Sequence, residues 1–263
     1  MTRTVTDDLG HEVVLPEGPV GRVVSLVPSL TEALAQTRRA ALVGATDWCT
    51  HPGDLDVPRV RGTKNPDLAA VRALRPDLVV CVQEENRELD VQRLRGAGVP
   101  VWVGVVESVD DALGAMGRLF AQVLGWGEPG WLREVRRVWG GPPGPTPPRA
   151  TVAVPVWRDP WMVVGGRTFT GDLLSRAGLA NAFGTHPERY PHVALEQIDG
   201  AGADLVVLPD EPYVFTGDDG PEAFSRTPTR LVSGRLLTWY GPSMAEAWTV
   251  LAQLGRVPDG SPG

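Results

Sequence analysis

Few side chains in this 263-residue chain can do chemistry, and their spacing limits what that chemistry is. Cys49 and His51 stand one residue apart, and a thiol beside an imidazole can hold a transition metal or give an axial ligand to cobalt or iron. A closed zinc site needs four such groups; the other reading is a buried free thiol next to a solvent-facing imidazole. His186 and His192 flank Arg189-Tyr190-Pro191 and offer two more imidazoles, while His11 reads as a surface residue. Lys64 is the single lysine among 25 basic residues, and its ammonium can pair with a phosphate or carboxylate. Glu84, Glu85 and Asn86 follow an apolar run, where they can hydrogen-bond a ligand, hold a hard cation, or pair with Lys64 and nearby arginines. Trp is overused, with 9 residues against 3 Tyr and 5 Phe, and such rigid aromatics either fill cores or line pockets for flat ligands.

Other chemistries are missing from the sequence. It holds no G-x-S-x-G, P-loop, G-x-G-x-x-G, H-E-x-x-H or C-x-x-C pattern, so no enzyme is expected. Two cysteines, Cys49 and Cys81, cannot build a disulfide scaffold or a four-thiolate site. The charge balance, 25 − 32 = −7, argues against a nucleic-acid or anionic-membrane surface. No run approaches the roughly twenty apolar residues of a membrane span. Residues 1–8 lack the apolar core of a secretory signal and a lipid-bearing cysteine, so a cytoplasmic location is expected for the chain as written, unless an exported precursor was trimmed.

The elements that must position these groups alternate between strand and helix. Strands are expected at 22–27, 41–45, 77–82 and 99–103, with helices at 30–35 (capped by Ser29 with Glu32), 66–74 and 88–94. Helical spacing continues through 109–124 and 128–139, and the Pro/Gly run at 140–148 then breaks it. Beyond it come strands at 151–156, 204–208 and 236–238, and helices at 169–177, 193–198 and 243–254. This β-α-β rhythm predicts α/β architecture with parallel sheets. Arg75-Pro76-Asp77-Leu78-Val79-Val80 is echoed by Gly202-Ala203-Asp204-Leu205-Val206-Val207, each preceded by a short helix with an acid and followed by an acidic patch. The echo predicts two related lobes: an N-terminal one over 1–125, a backbone helix and connector over 126–148, and a C-terminal one over 149–263, with a ligand cleft at their strand ends.

Several segments resemble the class III solute-binding proteins of ABC importers, those with a helical backbone between two Rossmann-like lobes. The start at 6–16, the Arg22–Glu32 strand and helix, the Pro76-Asp77-Leu78-Val79-Val80 strand, and Gly165-Gly166-Arg167-Thr168-Phe169 through Asn181 carry the likeness. Asp47–Pro52, Gly62–Asp67 and Glu84-Glu85-Asn86 look most like the branch of helical-backbone metal receptors. The resemblance implies a binding protein that captures cobalamin or another corrinoid, a ferric siderophore or haem, needs no cofactor of its own, acts as a monomer and hands its cargo to importer membrane subunits. It implies that Trp48, Tyr190 and Trp161 sandwich the ligand, with Trp157, Trp239 and Tyr240 as further candidates; Val82 stands where one relative has an aromatic residue. Lys64, Asn65, Glu84, Glu85 and Asn86 are then polar anchors, Cys49 and His51 potential metal ligands, and Asp67 and Glu196 the acids that dock on the importer. Trp102 and Trp248 are assigned to the core. The other readings are a cytoplasmic carrier or sensor of a metal cofactor, and a metal-dependent enzyme on the same scaffold.

Overall fold

The computed structural model describes residues 1–141 and 147–254. Most of the expected connector, 142–146, and the tail 255–263 lie outside the described residues. The chain divides into two compact units, the first made of Met1–Val106, Asp110–Arg136 and Tyr240–Pro242, the second of Glu107–Val109, Arg137–Trp239 and Ser243–Gly263.

The first unit opens with an antiparallel hairpin, β1 (Thr2–Thr6) and β2 (Glu12–Pro16). Asp7 shapes its turn: one carboxylate oxygen accepts from the N–H of Leu9 (3.0 Å) and His11 (2.8 Å), and the other pairs with Arg95. There follow β3 (Val23–Ser25), α1 (Pro28–Arg38), β4 (Leu42–Ala45), the short strands β5 (Arg61–Gly62) and β6 (Asn65–Pro66), α2 (Leu68–Ala73), β7 (Leu78–Val82), α3 (Glu88–Gly96), β8 (Val101–Gly104), α4 (Val109–Gly117) and α5 (Gly130–Trp139). Four of these strands form a parallel sheet in the order β4-β3-β7-β8. Every residue of β7 is buried, as a central strand covered on both faces requires. Its Cys81 packs among Val24, Val79, Leu94, Val101 and Val103, and burial pushes the thiol up to about 12.

The second unit contains β9 (Ala150–Ala153), β10 (Pro155–Trp157), β11 (Met162–Val163), α6 (Phe169–Arg176), β12 (Leu179–Asn181), α7 (Leu195–Asp199), β13 (Leu205–Pro209), β14 (Thr229–Val232), α8 (Arg235–Thr238) and α9 (Ser243–Leu251). Its parallel sheet runs β12-β9-β13-β14. In both sheets the first strand of the sheet lies between the second and third, so the expected internal echo is a repeat of topology. It extends to a side chain. The Asp77 carboxylate accepts from the N–H of Gly21 (3.0 Å) and Arg22 (2.8 Å) at the start of β3, and Asp204 accepts from Thr151 N–H (2.8 Å) in β9. Each aspartate pins the third strand's start to the first strand. In the second unit Asp199 also ties down the approach to β14: burial pushes its carboxyl up, but the N–H groups of Thr227, Ser225 and Arg226 outweigh this and hold it at about 2.

The structure corrects several local expectations. Helix α1 begins at Pro28, so Val27 holds the cap position and Ser29 lies inside, buried, rather than capping. Helix α2 begins one residue after Asp67, whose side chain caps it through Ala70 N–H (3.0 Å); Pro66 belongs to the β5–β6 hairpin. The helical run at 109–124 is α4 followed by a π-helical turn over Arg118–Val123. Gly125 and Gly127, at φ +69° and +78°, then turn the chain before α5, which stays a second helix as its spacing suggested. Leu236-Leu237-Thr238 is part of α8; the sheet's fourth strand is β14, over Thr229–Val232. Trp102 is a core residue as expected, but Trp248 is part-exposed on α9, edge-on to Trp139 at 5.0 Å.

Candidate functional site

Parallel sheets of this order meet ligands beyond the carboxyl ends of their strands, where the chain connections diverge. In the first unit three loops converge there. Asp47 N–H donates to Arg61 O (2.9 Å), joining the segment after β4 to the β5–β6 hairpin. The Trp48 indole leans on that hairpin: a Cβ added at Gly62 would lie 3.2 Å from Trp48 Nε1, so glycine makes the seat. Trp48 is 66% exposed, an unusual state for so large an apolar group. Thr63 and Lys64 form the hairpin's two-residue turn, and Lys64 Nζ donates to Glu84 O (2.5 Å) in the loop after β7.

Asn86 locks the loops together from beneath. Its Oδ1 accepts from Val82 N–H (2.9 Å), and its Nδ2 donates to Leu26 O (3.2 Å) and Thr63 O (3.1 Å). The buried amide is thus spent on backbone, so Asn86 is a positioning residue rather than an anchor that meets a ligand. Trp48, Lys64, Asn65 and Glu84 are exposed and Glu85 is half-buried.

Of the two readings of Cys49 and His51, the arrangement matches the buried thiol next to a solvent-facing imidazole. Cys49 is fully buried, with Thr31 Oγ1 at 3.0 Å and Thr46 Oγ1 at 3.1 Å from its sulfur. Burial pushes its thiol up, against the hydrogen bonds from Thr31 and Thr46 and helped by the nearby Glu85 charge, so it stays protonated. His51 is exposed, its Nδ1 3.1 Å from Thr50 Oγ1. Among the described residues no group of three or more His, Cys, Asp or Glu side chains is placed to hold a metal ion.

In the second unit the aromatic candidates separate. Trp161 is buried, stacked on Phe215 at 5.8 Å and edge-on to Phe224 at 5.5 Å, beneath the Arg158 guanidinium. Both of its faces have protein neighbours, so it supports the wall instead of forming an open face. Trp157 is part-exposed and meets Tyr213 edge-on at 5.7 Å. Arg158 pairs with Asp219 and Glu222, and Tyr213 OH donates to Asp219 (2.7 Å), which fixes this aromatic corner from its rim. Tyr190 is half-buried in the loop packed over Gly165, where Gly165 N–H donates to Arg189 O (2.8 Å). His186 Nδ1 accepts from Glu188 N–H (3.1 Å) and His192 is exposed, bridged to Met162.

Trp239 is only 6% exposed, and its indole N–H donates to the Glu211 carboxyl. Tyr240, the next residue, is buried in the first unit. Glu211 follows β13, as Glu84 follows β7; the acidic Pro209–Pro212 patch marked its region in the sequence, but nothing marked Arg158 or Tyr213. Burial raises the Glu211 carboxyl above its ordinary 4.5, Asp210 adding to the rise and the Trp239 and Thr238 hydrogen bonds opposing it. As pH climbs past 4.5 the unfolded chain loses this proton first, so the group costs stability from there up through its raised value. Glu211→Gln, which keeps the acceptor, is therefore expected to match wild type in melting temperature near pH 4 and to exceed it at pH 7, by about 1 kcal/mol or less. Melting curves that stay parallel between those pH values would refute this.

Asp67 and Glu196 occupy matching places, at the start of the short helix before the third strand of each sheet. Asp67 is half-buried and caps α2; Glu196 is exposed in the first turn of α7.

In sequence and fold the chain is similar to class III solute-binding proteins of ABC importers, which are binding proteins and not enzymes. No protein-family model matches it. Among curated proteins it is similar to a vitamin B12-binding protein of Pectobacterium carotovorum, 21% identical over 198 residues, covering 73% of this chain and 72% of that one. Among solved structures it is similar to the periplasmic haem-binding protein BhuT in complex with two haems, at 25% identity and a TM-score of 0.73, over 88% of this chain and 96% of that one. It also shares its fold with the periplasmic vitamin B12-binding protein BtuF of Vibrio cholerae, at 16% identity and a TM-score of 0.69, over 89% of this chain and 96% of that one.

Proposed function

We propose that this chain is the substrate-binding component of an ABC-type importer and captures a flat, metal-containing ligand, a corrinoid or haem, with a ferric siderophore as the broader alternative. The observation that carries the reading is the kinship with vitamin B12-binding proteins over 73% of the chain, joined to an exposed indole on loops locked by buried hydrogen bonds. A rigid aromatic face on a preformed support gains buried area with little loss of freedom on binding. In this reading Trp48 meets the ring, Trp157 and Tyr190 are further aromatic candidates, and Asp67 and Glu196 meet the importer. The lobes are then 1–125 and 149–263, linked through 126–148. The protein works where its relatives do, in the periplasm or at the cell surface.

The test is a tryptophan-fluorescence titration with cobalamin, cobinamide, haem, a ferric siderophore and free divalent metals, corrected for inner-filter absorption. One-to-one saturable quenching by a ring ligand is expected. Trp48→Ala should then weaken that ligand by roughly tenfold to a hundredfold, the usual loss for a central aromatic anchor. Saturation by none of the rings or chelates would overturn the reading.

A further inference from the structure

Many charged groups among the described residues are held in ion pairs. Arg39 pairs with Asp54, Arg95 with Asp7, Arg118 with Asp8, Arg136 with Glu128, and Arg158 with Asp219 and Glu222. Others, Arg22 and Arg59 among them, donate to backbone carbonyls, and Lys64 is of that kind. It is the sole lysine, it is exposed, and among the described residues it makes no ion pair. Its single hydrogen bond goes to the Glu84 carbonyl (2.5 Å), a neutral acceptor, so the head group is fixed in place with its charge intact and donors to spare.

The support for that head group is rigid. Lys64 sits in a two-residue turn between β5 and β6, and the turn's Thr63 carbonyl is held by the buried Asn86 amide at 3.1 Å. Gly62, two residues before Lys64, is the seat of the Trp48 indole. One hairpin therefore carries an exposed aromatic face and a fixed ammonium. A face that takes a flat ring and a cation beside it together select a ring with an anionic substituent at its edge.

We propose that Lys64, presented beside Trp48, recognises an ionised acid at the periphery of the ring ligand and so sets which ring the protein prefers. This rests on the reading of the preceding subsection. The acid is a carboxylate or a phosphodiester: the propionates of a porphyrin carry the first, the nucleotide loop of a corrinoid the second.

Two matched ligand pairs separate these sources. Haem and its dimethyl ester share a ring but differ in ionised carboxylates; cobalamin and cobinamide share a corrin, and cobinamide lacks the phosphodiester together with the nucleoside it carries. Wild type, Lys64→Met and Lys64→Arg are titrated with all four by tryptophan quenching. Lys64→Met should weaken the acid-bearing member of a pair about tenfold and leave its partner within about twofold, with Lys64→Arg recovering most of the loss. Loss confined to haem assigns a propionate; loss confined to cobalamin assigns the phosphodiester. Equal loss for both members, or loss for neither, overturns the proposal while leaving the ring-binding reading intact. Failure of every ring to saturate wild type overturns both.

Discussion

Trp139→Ala is expected to remove about 4 kcal/mol of stability, the upper range for truncating a buried aromatic side chain. Trp139 is 1% exposed and closes α5 where the chain passes into the second unit. Its ring packs edge-on against Trp248, at 5.0 Å and 89°, and its Nε1 donates to Met244 O (2.7 Å) at the start of α9. Its own carbonyl accepts from Arg176 (3.1 Å) of α6. Alanine would leave a cavity lined by α9, remove the indole hydrogen bond to the Met244 carbonyl and expose more of Trp248. Trp139→Phe keeps most of the apolar area and loses only the hydrogen bond, so a smaller cost of roughly 1–2 kcal/mol is expected. Urea titration followed by circular dichroism measures both; a cost below about 1 kcal/mol for alanine would mean that this ring does not hold α5 to α9.

Periodicity carried most of the fold. The apolar run 78–82 reads directly as a strand buried on both faces, and the Asp-Leu-Val-Val echo reads as a repeat because the same aspartate does the same job in each unit. The misreadings have physical causes. Leu236-Leu237-Thr238 is too short for period to distinguish helix from strand, and its helical state is set by Gly234, whose backbone is packed against Glu211. Ser29 has the right type for a cap, but Pro28, preset for the first helical position, starts the helix two residues earlier.

The site was legible as a set of loops and less so as a set of roles. Trp48, Glu84 and Glu85 follow strand ends of one sheet, which topology alone implies, and Lys64 stands in the turn of the β5–β6 hairpin between them in sequence. Whether a side chain in such a loop faces outward depends on tertiary partners far along the chain. Cys49 is drawn inward by Thr31 from α1, and Trp161 is covered by Phe215 and Phe224, more than fifty residues away. Asn86 looks like a ligand anchor in sequence for the same reason: an amide among carboxylates gives no sign that backbone carbonyls of two distant segments already occupy it.

Asn86→Leu is expected to cost about 3 kcal/mol and to weaken ring binding severalfold, although Asn86 itself is given no contact with the ligand. The leucine is similar in volume but leaves the buried N–H of Val82 and the Leu26 carbonyl without their partners and frees the Thr63 carbonyl at the base of the Lys64 turn. Asn86→Asp separates the parts of this effect. It retains the acceptor for Val82 N–H, loses both donors and sets a negative charge against two carbonyls, so it should destabilise by at least as much as leucine. Stability is read by denaturant titration and binding by tryptophan quenching at a temperature where each variant is fully folded. If the loops are held mainly by Asn86, binding falls in both variants in proportion to the disorder of the 62–64 and 84–86 segments, measurable as faster amide exchange there. Unchanged affinity in a folded Asn86→Leu protein would show that the loops keep their arrangement without this amide, and that preorganisation of the Trp48 and Lys64 corner comes from the hairpin alone.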